Sequence, residues 1–334
     1  MRTLSPKIKS VTPAAGIEGG RISIEGSGFN PDESSNTHVT FGDKEGRVLL
    51  ISKARLVAQI PEGATKGNLK VQIKSRESNL FDFHLGRKLS AEVNPVDNPI
   101  FDREGNLYVT YSGKRGETPP VSVYKISKDG TAVAYLSNIP NATSLAFDRD
   151  GNLYVSSRFE GIVYKATPQA DVTVFAKELG TPTGLAMNRE GFLFVGDRNG
   201  RILKISPEGE VRVYAEVPES MVAIHLAFDA EGNLLASSPG LSSYNQVFMI
   251  DAYGKIIPLY GGLGRPQGIA VDSQGSIYVC DAKAGDSCIV RINQQGEMKT
   301  IVSGPVMIGL AFNRKGELAV TAPDAVYLLS MNGS

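Results

Sequence analysis

Residues 147–155 read F-D-R-D-G-N-L-Y-V, and this line decides the fold because the chain writes it six times. It stands as F-D-R-E-G-N-L-Y-V at 101–109, M-N-R-E-G-F-L-F-V at 187–195 and F-D-A-E-G-N-L-L-A at 228–236. The last two copies are V-D-S-Q-G-S-I-Y-V at 271–279 and F-N-R-K-G-E-L-A-V at 312–320. Start-to-start spacings are 46, 40, 41, 43 and 41 residues. Units of about 40–45 residues, each too small to bury its own apolar face, read as the blades of a propeller.

The chemistry inside each copy agrees. Asp or Asn stands three residues before Gly in all six, as in Asp102/Gly105, Asp148/Gly151 and Asn188/Gly191. That is a type I turn: the side chain bonds the backbone and Gly takes the left-handed position. A second turn follows about 20 residues on, as in Ser206-Pro207-Glu208-Gly209; the second copy has Ala170 where the others have Gly. Each unit therefore holds four antiparallel strands, A (innermost) to D (outermost). The sixth copy reaches its second turn at Ser330-Met331-Asn332-Gly333 with no strand D after it. The segment 87–93, just ahead of the first strand A, supplies the missing strand. It is expected to pair near Val326–Leu329 and close a six-bladed ring, which removes the open edge.

Residues 5–86 lack the repeat and show short strands broken by Gly, Pro and Asn, as in a β-sandwich. The expected organisation is thus all-β: an N-terminal immunoglobulin-like sandwich at 5–86 and a propeller at 87–334.

Thirty-five basic residues balance 35 acidic ones, which argues against a nucleic-acid binder. Charge or Gly/Pro interrupts every apolar run, so no membrane span is expected. The opening residues carry no signal-peptide core, a reading that leans to the cytoplasm and leaves export open. Two cysteines form no disulfide framework and no four-cysteine zinc site. Aligned across the repeats, Cys280 and Cys288 fall on facing strands B and C, where a cross-strand disulfide could form. Asn141-Ala142-Thr143 matches the glycosylation pattern and is read as chance.

The repeats resemble NHL repeats. The copy at 261–281, with Pro266-Gln267-Gly268-Ile269-Ala270-Val271-Asp272 and Ile277-Tyr278-Val279-Cys280-Asp281, carries that resemblance best. The wider group includes calcium-dependent lactonases of the SMP-30/gluconolactonase type and antibiotic-opening lyases. Residues 8–13, 18–29, 39–42 and 60–63 resemble the IPT/TIG immunoglobulin-like domain, which implies a spacer or binding module.

If the blades wind in the usual way, the loops joining D to A and B to C share one face. Asn98, Ser144, Gly184, His225, Gly268 and Gly309 open the A strands there, and three glycines leave room near the axis. Tyr111, Ser157, Asp197, Ser238, Asp281 and Ala322 close the B strands, with Asp97, Arg158, Arg198 and Gln267 adjacent. The expected ligand-binding set is Asn98, Arg158, Asp197, Arg198, His225, Gln267 and Asp281. His225 is the candidate acid–base residue, and Asn98, Asp197 and Asp281 are the candidate ligands should calcium bind. The turn acids, such as Asp148, are read as turn residues because a calcium loop needs more ligands. The expected function is binding: a rigid propeller face offered to a protein, peptide or glycan. The alternative is a metal-assisted lactonase-like hydrolase or lyase at the channel mouth; the early Glu-Gly-Pro motif and nearby Trp of those lactonases are absent, and the chain has no Trp.

Overall fold

The computed structural model describes residues 5–65, 67–242, 244–283 and 285–330. It is all-β apart from one 3-10 turn at Pro31–Asn36. Among the described residues no helix is long and apolar enough to cross a membrane. The second turn expected after the last strand lies, beyond Ser330, outside the described residues.

A propeller-like ring of four-stranded antiparallel sheets follows the repeats. The second repeat is the simplest: Ala142–Phe147 (A), Leu153–Ser157 (B), Ile162–Ala166 (C) and Val172–Ala176 (D) pair in chain order. The sheets of repeats one, three and four have the same order. In the sheet of repeat six the outer strand is Arg87–Ala91, which pairs antiparallel with Ala325–Ser330 (Arg87 opposite Leu328, Ala91 opposite Ala325). The sheet of repeat five holds six strands, because Ala15–Gly16 and His84–Leu85 add to its outer edge.

The recurring line builds the turn between A and B. Gly105 sits at φ 84° and donates to the Asp102 carbonyl at 3.2 Å. The Asp102 carboxylate accepts the Asn106 backbone at 2.8 Å, its amide at 2.7 Å and the Tyr108 hydroxyl at 3.3 Å. Asp148 repeats the pattern with Asn152 and Tyr154, so its oxygens serve the turn. Ala170 takes the left-handed conformation its glycine counterparts use, at φ 67°.

Every second residue of the inner strands faces a neighbouring sheet, which divides the core into wedges. Leu153, Val155, Leu145 and Tyr108 fill the wedge between repeats one and two. Leu89, Val93, Leu107, Val109, Ala319 and Val326 fill that between repeats six and one. Side-chain hydroxyls stitch the inner strands from one repeat to the next. Thr110 donates to the Thr143 carbonyl, Ser144 accepts from Leu185 N–H, Thr183 accepts from Ile224 N–H, and Ser237 donates to the Gln267 carbonyl.

The N-terminal strands pair in two sets that share one long strand. Lys7–Thr12, Arg21–Ser27 and Arg55–Gln59 pair in one set and Thr37–Phe41 and Asn68–Ile73 in the other; Lys44–Ile51 turns back from Phe41 at Gly42 and Asp43, pairs with Thr37–Phe41 through its first residues and passes to Arg55–Gln59 through its last. Both sets contribute to one core of Ile22, Ile24, Phe41, Leu56, Val71 and Phe83, as an immunoglobulin-like sandwich does. This domain is fastened to the ring. Ile17 is fully buried among residues of repeats five and six, and Glu18 accepts from Tyr327 at 2.8 Å and pairs with Lys88. A single residue, Gly86, separates the strand on repeat five from the strand on repeat six. A Cβ there would lie 2.7 Å from Ile17 and 3.1 Å from Leu329, so a larger residue would have to displace these buried side chains.

Candidate functional site

Asp97 and Asn98, in the loop ahead of the first strand A, reach three other repeats. The Asn98 amide donates to the Ile269 carbonyl of repeat five at 3.1 Å and its oxygen accepts Leu310 N–H of repeat six at 3.0 Å. The Asp97 carbonyl faces the Thr321 hydroxyl of repeat six at 3.4 Å. The Asp97 carboxylate meets Nδ1 of His225, in strand A of repeat four (His225–Phe228), and both side chains are buried. Nε2 of His225 is buried with no hydrogen-bond partner among the described residues.

Asp197 and Asp281 do the same work in repeats three and five. Asp197 is fully buried, accepts Thr181 N–H at 2.9 Å and is held by Arg201 at 2.6 and 2.9 Å. Asp281 accepts Gly264 and Arg265 N–H at 3.0 and 2.8 Å. Each carboxylate closes the loop that enters its own repeat. The oxygens of Asn98, Asp197 and Asp281 are thus engaged with the protein, each at a different place on the ring. Gln267 takes part through its backbone, accepting from Ser237 and donating to the Cys280 carbonyl at 2.8 Å.

Two expectations change. The axial glycines mark contact, not room: a Cβ on Gly184 would lie 2.2 Å from the Ile224 carbonyl, one on Gly268 2.5 Å from Gly309, and one on Gly309 2.4 Å from the Asp97 carbonyl. Both cysteines are free. Cys280 stands opposite Ile289, and Cys288 opposite Asp281. This one-residue offset turns the two thiols to opposite faces of the sheet, Cys280 toward repeat six and Cys288 toward repeat four.

The structure brings Arg158 and Arg198 together, and adds Arg115. They line one cavity of about 350 Å³, reached from the loops after strand B in repeats one, two and three. Arg158 lies partly buried and donates to Ser112 at 3.1 Å. Burial, followed by the like charges of Arg198 and Arg115, pushes its guanidinium below the usual arginine range. Among the described residues no carboxylate lines this cavity and none of the three arginines makes an ion pair. Asp197, which lies just behind Gly180 of the cavity wall, is spent on Arg201.

Asn141 builds the loop that presents Arg115. Held at φ 48°, it donates to the Ser112 and Lys114 carbonyls at 2.8 and 2.9 Å and accepts Gly116 N–H at 2.8 Å. Its amide is buried, which removes it as a glycosylation acceptor in the folded chain. Phe159 (54 % exposed) and Val222 (40 %) form the apolar rim, and the Phe159 ring lies over Gly116. Arg115 escapes the repeat alignment because the first repeat is the longest, 46 residues against 40 to 43, and its extra length falls in this loop.

Residues 6–84 match the IPT/TIG domain and residues 263–292 the NHL repeat. No curated protein matches the chain. Among solved structures, an auxiliary nutrient binding protein from Bacteroides thetaiotaomicron VPI-5482 is similar over 97 % of both chains, at 13 % identity and TM-score 0.59. A putative gluconolactonase is similar over 75 % of this chain and 92 % of its own, at 17 % identity and TM-score 0.60. Virginiamycin B lyase from Staphylococcus aureus is similar over 74 % of this chain and 88 % of its own, at 14 % identity and TM-score 0.54. The likeness defines a class by fold, an IPT/TIG domain joined to a propeller; activities differ among these neighbours.

Proposed function

We propose that the chain is a binding protein that takes an anionic ligand onto the loop face of its propeller. The observation that carries this reading is the cavity of Arg115, Arg158 and Arg198, three guanidiniums with no counter-charge in its lining. Gathering like charges beside a half-buried guanidinium costs free energy, and an anion with oxygen acceptors offsets it. We read the scaffold as a six-bladed ring, the six-stranded sheet counting as the fifth blade and Arg87–Ala91 completing the sixth. The division at residues 86 and 87 gives a TIG domain that acts as a fixed shoulder on blade five. The nutrient-binding neighbour, alike over nearly its whole length, supports a binding role.

The enzymatic reading has two observations behind it, the unpartnered Nε2 of His225 and the likeness to a putative gluconolactonase and a virginiamycin B lyase. A metal-assisted hydrolase needs convergent oxygen ligands, whereas Asn98, Asp197 and Asp281 each hold backbone at separate points.

The binding reading is tested by melting the full chain against a panel of anionic and neutral small molecules, then repeating it with Arg158→Gln. Anionic members should raise the midpoint of the natural chain and lose that effect in the variant. A panel with no effect, or effects that survive the substitution, would overturn it.

A further inference from the structure

We propose that the three-arginine cavity takes a phosphomonoester, its phosphoryl group seated among Arg115, Arg158 and Arg198 and its organic body against Phe159 and Val222. This rests on the anion-binding reading above and narrows it to one ligand class.

Three features of the cavity select that class. The first is charge. Three cations face the cavity and no carboxylate lines it. A monoanion leaves two of them uncompensated, whereas a phosphomonoester carries close to two negative charges at neutral pH.

The second is the direction of approach. The guanidiniums come from three loops, those of repeats one, two and three. A tetrahedral phosphoryl group has three terminal oxygens, one for each fork. A planar carboxylate has two, which one bidentate arginine uses up. Arg158 is the more buried of the three and is held by Ser112 at 3.1 Å. Arg115 and Arg198 are exposed and line the same cavity from the loops of repeats one and three.

The third is size. A cavity of about 350 Å³ exceeds what a bare ion fills and sits at the small end of organic-ligand pockets. Its rim is apolar at Phe159 and Val222, where a ring can lie.

The test is calorimetric titration of the full chain with inorganic phosphate, glucose 6-phosphate, glucuronate and glucose. The two phosphates should bind, glucuronate at least about tenfold more weakly, and glucose without heat. Phosphate affinity should fall as pH drops below about 6, where the second proton returns to the phosphoryl group, while any glucuronate affinity stays level there. Arg158→Gln should abolish binding and Arg158→Lys should weaken it, because the charge remains and the fork is lost. With no ligand present, Arg158→Gln should melt no lower than the natural chain, since it relieves repulsion. Glucuronate binding as tightly as the phosphates, with no step near pH 6, would overturn the phosphomonoester and leave the anion reading standing. Absence of all anion binding, or binding indifferent to Arg158→Gln, would overturn both.

Discussion

The carboxylate of Asp97 and the imidazole of His225 are 128 positions apart and meet with both side chains buried. One belongs to the loop that enters the first repeat and the other to the inner strand of the fourth, so the contact exists only when the intervening sheets are in place. Asp97→Ala leaves a buried imidazole without its partner, and the expected loss is about 2–4 kcal/mol. Chemical denaturation should show it as a lower midpoint at unchanged slope. A loss under half a kcal/mol would mean that the pair contributes nothing to the ring.

The outer strand of the last sheet gives a second expectation. Leu89 and Val93 fill the wedge between repeats six and one. Removing residues 1–84 spares that wedge and the pairing of Arg87–Ala91; removing 1–93 takes both. The longer deletion should melt far below the shorter in a thermal scan. Equal midpoints would contradict the closed-ring reading.

Ala170 holds a left-handed backbone at φ 67° where the matching turns have glycine. Ala170→Gly removes a cost of roughly 1–2 kcal/mol in the folded chain and restores part of it as unfolded-chain freedom. A net gain of about 0.5–1 kcal/mol is expected, read as a rise in melting temperature. The reverse sign would show that the Ala170 methyl, which packs against the wedge between repeats one and two, matters more than its backbone.

The thiols set an alkaline limit. Burial pushes Cys288 up to about 11 and raises Cys280 well above the ordinary thiol range. Below about pH 7.5 both thiols are protonated in the folded and unfolded chain alike, and their contribution is fully present. As pH rises from about 7.5 toward 11 the unfolded chain ionises first, so stability falls. Denaturation midpoints across that range should decline less in a Cys280→Ala, Cys288→Ala variant. A thiol reagent should label neither residue rapidly near pH 8.

Much of this was legible in the sequence because a turn's chemistry is local. Asp102, Gly105 and Tyr108 lie within seven residues, and the hydrogen bonds they make are the ones their spacing implies. What joins one repeat to another was not legible. Asn98 reads as a channel-mouth amide until Leu310 and Ile269 are seen on either side of it. The register of strands B and C in the fifth repeat differs by one residue from what the repeat alignment implies, enough to turn the two cysteines away from each other. That one strand, Lys44–Ile51, pairs into both halves of the N-terminal domain does not show in a sequence of short strands. Arg115 had no counterpart in the other repeats, so alignment passed over it.

The joint at Gly86 has a mechanical meaning. On one side of it the chain is hydrogen-bonded into the fifth sheet, and on the other into the sixth. One residue leaves little slack. For the N-terminal domain to turn on the propeller, Ala15–Gly16 and His84–Leu85 would have to leave the fifth sheet and Ile17 its buried place between repeats five and six. The bearing of the domain is thus tied to backbone pairing and to a buried side chain at once, and loosening either one exposes the other to water.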